Sequence, residues 1–511
     1  MNDAVKNVVV AGGGSAGWLT AAVLAADHGE RLRITVVESP DTPAIGVGAG
    51  TWPSIRDTLR RIGVTETALF RECDAAFKQG SRFDGWRDGS ADDRYYHPFM
   101  LPHGYLETDL VAGWLHTRAQ LPFAEAICAQ PHLCAHGKAP KQAATPEFAA
   151  VANYAYHLDA TRLGAFLREH CTRKLGVTHL SDHIVAIEPR DNGDIASLRL
   201  REHGSLHGDL FVDCTGLRAL LLGEHYRVPL LAQRHVLFND SALAMQVAYA
   251  DERAEIASQT VSAAQDSGWI WDIGLPTRRG VGHVYSSAHT SDEEAERALR
   301  RYVAATGGPR DAPSVRKLSF EPGYRAEFWH RNCIAVGLSA GFIEPLEASA
   351  IALIELSAAL LSEDLPATRA DMDLLARRFN DAFRYRWERV IEFLKLHYLL
   401  SQRRDTEYWR DHAREDSVPA RLHELLGLWR HRPPSRHDFP RVEEIFPSAS
   451  WQYILYGMGF RPETAARHDD RLAVADAYFN ETVRTTGKML AALPGNRALI
   501  GHIREHGLTA I

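Results

Sequence analysis

Short, wholly apolar runs punctuate the N-terminal part of the chain. Val8-Val9-Val10-Ala11 is apolar at successive positions, as a strand buried on both faces of a parallel sheet must be. Six small residues follow, Gly12 to Gly17, and from Trp18 to Leu24 the apolar positions take helical spacing. A second run, Arg33-Ile34-Thr35-Val36-Val37, predicts another strand and stops at Glu38. Asp209 to Asp213 and Asn332 to Val336 read as further short strands, closing on small-residue turns at Gly216 and Gly337. Trp269-Ile270-Trp271-Asp272-Ile273 fits a core strand whose alternate positions pack inward. Later the period lengthens. Leu346 to Leu361 has helical spacing, with Pro345 suited to the first helical position and Glu347 expected in the first turn. Asp371 to Leu400 carries a strong helical pattern.

Strand, turn, helix and acid together specify a dinucleotide site. Gly12, Gly14 and Gly17 fill the glycine positions of G-x-G-x-x-G. The first permits a tight turn, the second lets backbone approach a pyrophosphate, and the third lets helix and strand pack closely. The helix N-terminus, at Ser15, Ala16 and Gly17, offers unpaired N–H groups and a favourable dipole to phosphate. Glu38, about 20 residues on, is placed for ribose hydroxyls. The strand ending at Gly216 resembles the second flavin-contact motif of FAD monooxygenases, and the one ending at Gly337 resembles their late strand beside the flavin. Both favour FAD over a nicotinamide, for which no second glycine motif appears. The expected fold is an α/β, FAD-dependent monooxygenase-like module of Rossmann type with a mainly helical substrate module.

A chain of 511 residues is too long for one small core. The reading places a discontinuous FAD module in residues 1–370, with substrate-side insertions near 70–150 and 235–315, and a helical module in 371–511. Lys138 to Pro146 and Arg432 to Pro440, rich in Pro or charge, are the candidate linkers. A net charge of −7 gives no hint of nucleic acid, and no apolar run is long enough to span a bilayer. The N-terminus lacks the basic region of a signal peptide. Six scattered cysteines without a CxxC pair argue against structural zinc and a disulfide framework, so no metal site is expected and a cytoplasmic location fits.

Five blocks, in order between about residue 6 and residue 460, resemble flavin-dependent halogenases of the tryptophan-halogenase-like family. Trp269-Ile270-Trp271-Asp272-Ile273 resembles the family's Trp-x-Trp-x-Ile-Pro motif, although Gly274 stands where the proline falls. In the family these tryptophans are thought to keep substrate from the flavin. Glu344-Pro345-Leu346-Glu347 resembles the Glu-Pro-Leu-Glu segment. That resemblance implies a catalytic role for Glu347 and a backbone halide site at Ser349 and Ala350. Phe77-Lys78-Gln79-Gly80 resembles the family's Phe-Lys-x-Gly segment, and that resemblance implies that Lys78 is the catalytic lysine. His97 and Phe99 fall on the His-x-Phe pair that sandwiches the substrate ring. Ile45 to Pro53, with Gly48 and Ala49, resembles the mobile loop near the flavin, but Ala49 replaces a usual glutamate. The tyrosine–glutamate clamp that holds free tryptophan's charged end is not visible between His437 and Ser450.

The resemblance implies a halogenase using FADH2 supplied by a separate flavin reductase, dioxygen, and chloride or bromide as cosubstrate. Hypohalous acid would reach Lys78, and Glu347 would assist attack by an electron-rich ring such as indole. A homodimer is left open. Two other readings share the glycine loop. An FAD aromatic monooxygenase would not need Lys78, Glu347 or the tryptophan pair. A non-catalytic flavoprotein would let them drift.

Overall fold

The computed structural model describes residues 4–41, 48–309, 314–463 and 469–510. It divides into two compact units, each assembled from three stretches of chain. The first comprises residues 1–74, 158–234 and 320–387; the second comprises 75–157, 235–319 and 388–511. The long helix Arg369–Leu399, which the sequence pattern anticipates, starts in the first unit and ends in the second.

The first unit is built on a six-stranded sheet. Its strand order is Trp329–His330, Cys333–Ala335, Leu210–Asp213, Asn7–Ala11, Arg33–Glu38 and Thr178–Ser181. All neighbours are parallel except the terminal Trp329–His330 pair. The predicted strands fall where the apolar runs lie, and Val8, Val9 and Val10 are almost fully buried because helices cover the sheet. Helix Ser15–His28 is apolar nearly all round and buried from Gly17 to Ala25. It packs against helices Ala160–Lys174 and Ser349–Glu363, so no face is left for water. Asp159 caps helix Ala160–Lys174, accepting from Thr161 N at 2.9 Å and Arg162 N at 3.0 Å.

The second unit is organised by a seven-stranded sheet, ordered Arg316–Ser319, Ser241–Val247, Arg279–Tyr285, Gly268–Gly274, Thr260–Gln265, Gly80–Asp84 and Arg94–Pro98. Only the Thr260–Gln265 and Gly80–Asp84 pair is parallel. Strand alternation gives each face its own partners. On one face Leu243, Met245, Val247 and Ile270 meet Ala295, Leu299 and Val303 of helix Asp292–Ala305. That helix starts on a capping box formed by Ser291 and Glu294. Trp269 and Trp271 occupy alternate positions to Ile270 and therefore point to the other face. Outside this sheet the unit carries the strand Ala76–Lys78 and many helices, including Ser448–Gly457 and Asn496–His506.

Neither candidate linker joins the units, which exchange chain at residues 74/75, 157/158, 234/235, 319/320 and 387/388. Lys141 is fully buried and donates to Pro146 O at 2.9 Å and Tyr154 Oη at 3.2 Å. In the other stretch Arg432 pairs with buried Asp438. Charge and proline there serve packed loops rather than connections.

Candidate functional site

The glycine loop has the shape a dinucleotide requires. Gly12 has φ +109°, and a Cβ there would lie 2.1 Å from the Cys214 carbonyl oxygen. A Cβ on Gly17 would lie 1.9 Å from the Gly12 carbonyl. Gly14 faces open space among the described residues, with nothing of theirs within 4 Å of the same position. Thus two glycines are fixed by close packing, and the third leaves its backbone accessible at the start of helix Ser15–His28. Ser15 Oγ donates to Ala160 O at 3.2 Å, and Ala16 packs so closely that a Cβ on Gly337 would come within 2.7 Å of it. Glu38 folds beside Gly13. Its buried Oε2 makes no hydrogen bond among the described residues, although His179 Nε2 is 3.1 Å away. Arg168 Nη1 also lies 3.5 Å from it. A carboxylate oxygen next to the loop with ion-pair contacts but no hydrogen bond suits a ribose hydroxyl, which would donate to it. The residues therefore fit FAD.

Asp213, which sequence reasoning quoted but did not single out, holds this end of the sheet together. Its fully buried carboxylate accepts from Thr215 N and Oγ1, Ser339 Oγ, and the N–H groups of Leu221 and Leu222, at 2.7–3.1 Å. Both turns at Gly216 and Gly337, with φ +75° and +72°, thereby share one anchor. An acid at a strand end, followed by Thr and Gly, was the available signal. Gly48 and Ala49 form the strand Gly48–Gly50, while Ile45 to Val47 lie outside the described residues.

Glu347 does not lie in the first helical turn as expected. Leu346–Ala348 is a 3-10 turn with Pro345 at its N-cap, and the α-helix begins at Ser349. The cause is the backbone: Glu347 has φ +66° and Ala348 φ +56°, both left-handed, so the chain turns sharply before the helix can start. Ser349 and Ala350 are consequently the first two helical residues, whose N–H groups lack intrahelical acceptors. Glu347 is 5% exposed, and its carbonyl accepts from Trp52 Nε1 at 2.7 Å.

In the second unit Lys78 ends the strand Ala76–Lys78, which pairs antiparallel with Ala155 to His157. Its side chain is fully buried, and Nζ stands 5.2 Å from the centroid of Phe99. A network of amides fixes this region. Gln79 donates to Lys138 O and Ser258 Oγ, and Asn153 Nδ2 donates to Phe99 O at 3.0 Å. Gln130 accepts from Phe99 N and Met100 N. Neither Gln130 nor Asn153 carries a pattern that sequence reading could single out.

His97 is buried against Phe393, Phe446 and Tyr453, with ring centroids 5.6, 6.5 and 6.2 Å away. Trp269 and Trp271 are 1% and 6% exposed and lie edge to face, and Trp86 packs against Trp269. A Cβ on Gly282 of the neighbouring strand would meet the Trp271 ring at 2.2 Å, so that glycine makes room for it. The buried cysteine thiols are pushed up by desolvation, Cys128 to about 11 and Cys134 to about 12.

Glycine loop, parallel sheet and the acid beside the loop define an FAD-type oxidoreductase module of the monooxygenase kind. Comparison with known proteins gives the family. The tryptophan halogenase family model matches residues 7–474. A tryptophan halogenase from Shewanella frigidimarina NCIMB 400 shares 47% identity over all of both chains and superposes with a TM-score of 0.96. Tar14, a tryptophan C-6 flavin-dependent halogenase (chlorinase) from taromycin biosynthesis, shares 34% identity over 98% of this chain and 100% of its own, with a TM-score of 0.91. KtzR from Kutzneria sp., a 7-chloro-L-tryptophan 6-halogenase, is 35% identical over 88% of this chain and 90% of its length. The chain belongs to the tryptophan halogenase family. It is a flavin-dependent halogenase, an enzyme that uses reduced FAD and halide and acts on a small aromatic substrate. The plain monooxygenase and the non-catalytic flavoprotein are thereby set aside. Among the described residues no helix is long and apolar enough to cross a membrane.

Proposed function

We propose that this enzyme chlorinates or brominates indole or an indole derivative, with Lys78 presenting the halogen and Glu347 taking the ring proton. The observation that carries this is Lys78 itself: a fully buried ammonium over an aromatic face. A lysine is seldom fully buried in a core, which points to chemistry at that place. Gly12, Gly14, Ser15, Ala16 and Gly17 hold the FAD pyrophosphate, Glu38 the ribose, and Gly48, Ala49, Gly216 and Gly337 line the flavin. Bound reduced FAD, with dioxygen, supplies the oxidising equivalent that converts halide to hypohalous acid. A separate flavin reductase supplies the reduced form. The N–H groups of Ser349 and Ala350 hold the halide, since a helix start attracts anions.

Lys78 then binds the hypohalous acid through its ammonium or carries the halogen on nitrogen. Either way the halogen becomes a positioned electrophile. A ring carbon forms the carbon–halogen bond, the bond from halogen to oxygen or nitrogen breaks, and the ring proton passes to the Glu347 carboxylate. Phe99 and His97 give the ring an aromatic setting, and Trp269 and Trp271 keep it from the flavin. A neutral ring suits the region from His437 to Ser450 better than a zwitterion. Its buried acid, Asp438, is already taken by Arg432, Ser435 N and Trp429 Nε1. Phe446 in the same region stacks on Phe393 with centroids 3.7 Å apart. The enzyme works in the cytoplasm, and a homodimer is the assembly to look for.

The test supplies reduced FAD, oxygen, indole and bromide, and looks by mass spectrometry for the bromine isotope doublet. Lys78→Ala is expected to abolish the product while FAD still binds, because Lys78 lies outside the FAD-binding unit. Product from that variant above the background of free hypohalous acid would overturn the role of Lys78.

A further inference from the structure

Glu347 and Ala348 are consecutive residues in left-handed conformation, at φ +66° and +56°. That region is sterically unfavourable for any residue with a Cβ, and two in succession persist only where neighbours impose them. One constraint is local: Ala348 N donates to Pro345 O at 2.9 Å and closes the turn. The other comes from far along the chain. The indole Nε1 of half-buried Trp52 donates to Glu347 O at 2.7 Å. That carbonyl belongs to the peptide plane between the two left-handed residues. Fixing it fixes ψ of Glu347 and φ of Ala348 together.

Trp52 is itself anchored to the helix whose start it touches. Two residues on, Ser54 precedes helix Ile55–Arg61. Thr58 Oγ1 of that helix donates to Glu355 Oε1 at 2.6 Å, and Ser54 Oγ donates to Glu355 Oε2 at 3.4 Å. Glu355 is 4% exposed and lies within helix Ser349–Glu363. The Trp52 segment is thus braced at two places, once before the first helical turn and once deeper in the helix.

We propose that Trp52 is a positioning residue for halogenation. Its N–H holds the Glu347–Ala348 peptide plane, and so aims the Glu347 carboxyl and the first N–H groups of the helix at once. Trp52 follows the strand Gly48–Gly50. A displacement of that strand therefore reaches Glu347 through a few residues and one hydrogen bond. The proposal rests on the roles given above to Glu347, Ser349 and Ala350.

The test removes the N–H in two ways: with Trp52→Phe, which keeps a smaller aromatic ring, and with benzothienylalanine at position 52, an isostere bearing sulfur in place of N–H. Both are expected to lower the rate of bromoindole formation about fivefold, the factor carried by one ordinary net hydrogen bond, and to raise the bromide concentration giving half-maximal rate. FAD affinity and the rate of flavin reoxidation should stay as in the parent enzyme. Adding Ala348→Gly to Trp52→Phe should recover part of the loss, because glycine holds a left-handed φ unaided. Parent-like rate and bromide dependence in both position-52 variants would overturn the proposal. So would losses matched by weaker FAD binding and unrelieved by Ala348→Gly, which would mark Trp52 as a general packing residue. Glu347→Gln run alongside separates the two ideas. If it retains full activity, the role of Glu347 fails and the brace fails with it. If it is slow while the position-52 variants are normal, only the brace fails.

Discussion

Replacing Gln130 by leucine tests the amide network around Lys78 and Phe99. Gln130 is fully buried and uses its whole amide. Oε1 accepts from Phe99 N at 2.8 Å and Met100 N at 2.9 Å; Nε2 donates to Asn153 O at 2.5 Å and Gln79 Oε1 at 3.4 Å. Leucine has a similar shape and none of these bonds. One of the four partners has another arrangement: Phe99 N also faces Gln79 O at 3.3 Å. Gln79 keeps the bonds its Nε2 donates to Lys138 O and Ser258 Oγ, but its Oε1 loses the Gln130 donor. Met100 N and Gln79 Oε1 lose the partners Gln130 gives them, and Asn153 O loses its bond to Nε2. An unsatisfied buried polar group costs about 1–3 kcal/mol; Met100 is half-buried and Gln79 fully buried, so about 3 kcal/mol in total is expected. Phe99 would also lose its firmest backbone tie beneath the Lys78 ammonium. Gln130→Leu should therefore lower stability by about 3 kcal/mol in urea unfolding. It should also raise KM for indole severalfold, with FAD affinity unchanged because the network lies wholly in the other compact unit. A variant within about 1 kcal/mol of the parent and with the same KM would show that solvent or side-chain shifts replace these bonds, and the argument from buried amides would fail.

Glu347→Gln should slow product formation by roughly 10²-fold, the low end for losing acid–base assistance, while flavin reoxidation followed by absorbance persists. Unchanged activity would reduce Glu347 to a residue of the turn. Glu355 offers a stability test, since burial raises its carboxyl from 4.5 to about 8. A carboxyl raised on folding binds its proton more tightly in the native state, so its contribution is complete below the unfolded value and is lost as pH rises towards about 8. Glu355→Gln should therefore flatten the pH dependence of the thermal midpoint across that window and stabilise most at its alkaline end; parallel pH curves for variant and parent would contradict the assignment. In a competition assay, indole should show the higher kcat/KM over free tryptophan, because a zwitterion in a partly dry site needs partners for both charges. A clear preference for tryptophan with one regioisomer would reveal a clamp outside the His437–Ser450 stretch.

What could be read from sequence divides by the range of the forces involved. The strand Asn7–Ala11, the glycine loop and helix Ser15–His28 were legible because their determinants are local: an apolar run, residues without Cβ, then helical spacing. The Glu347 turn was not legible, since neither Glu nor Ala favours left-handed φ, and helix propensity alone extends the helix back to Leu346. A hydrogen bond from a residue nearly three hundred positions earlier overrides that local preference. Lys78 shows the same division in another form. Its motif was visible, but a lysine beside a short polar loop reads as solvated surface, and only the pairing with Ala155 to His157 and the cover of Phe99 bury it. The positions where local expectation fails are thus the ones proposed to carry chemistry. Local and global preferences agree through most of a foldable chain, so disagreement at Lys78 and Glu347 marks places where folding alone would have chosen differently. A leucine would fill the Lys78 site without a buried charge, and a glycine would take the Ala348 turn without strain. That the chain carries neither is itself an argument that the ammonium and the braced turn serve the reaction.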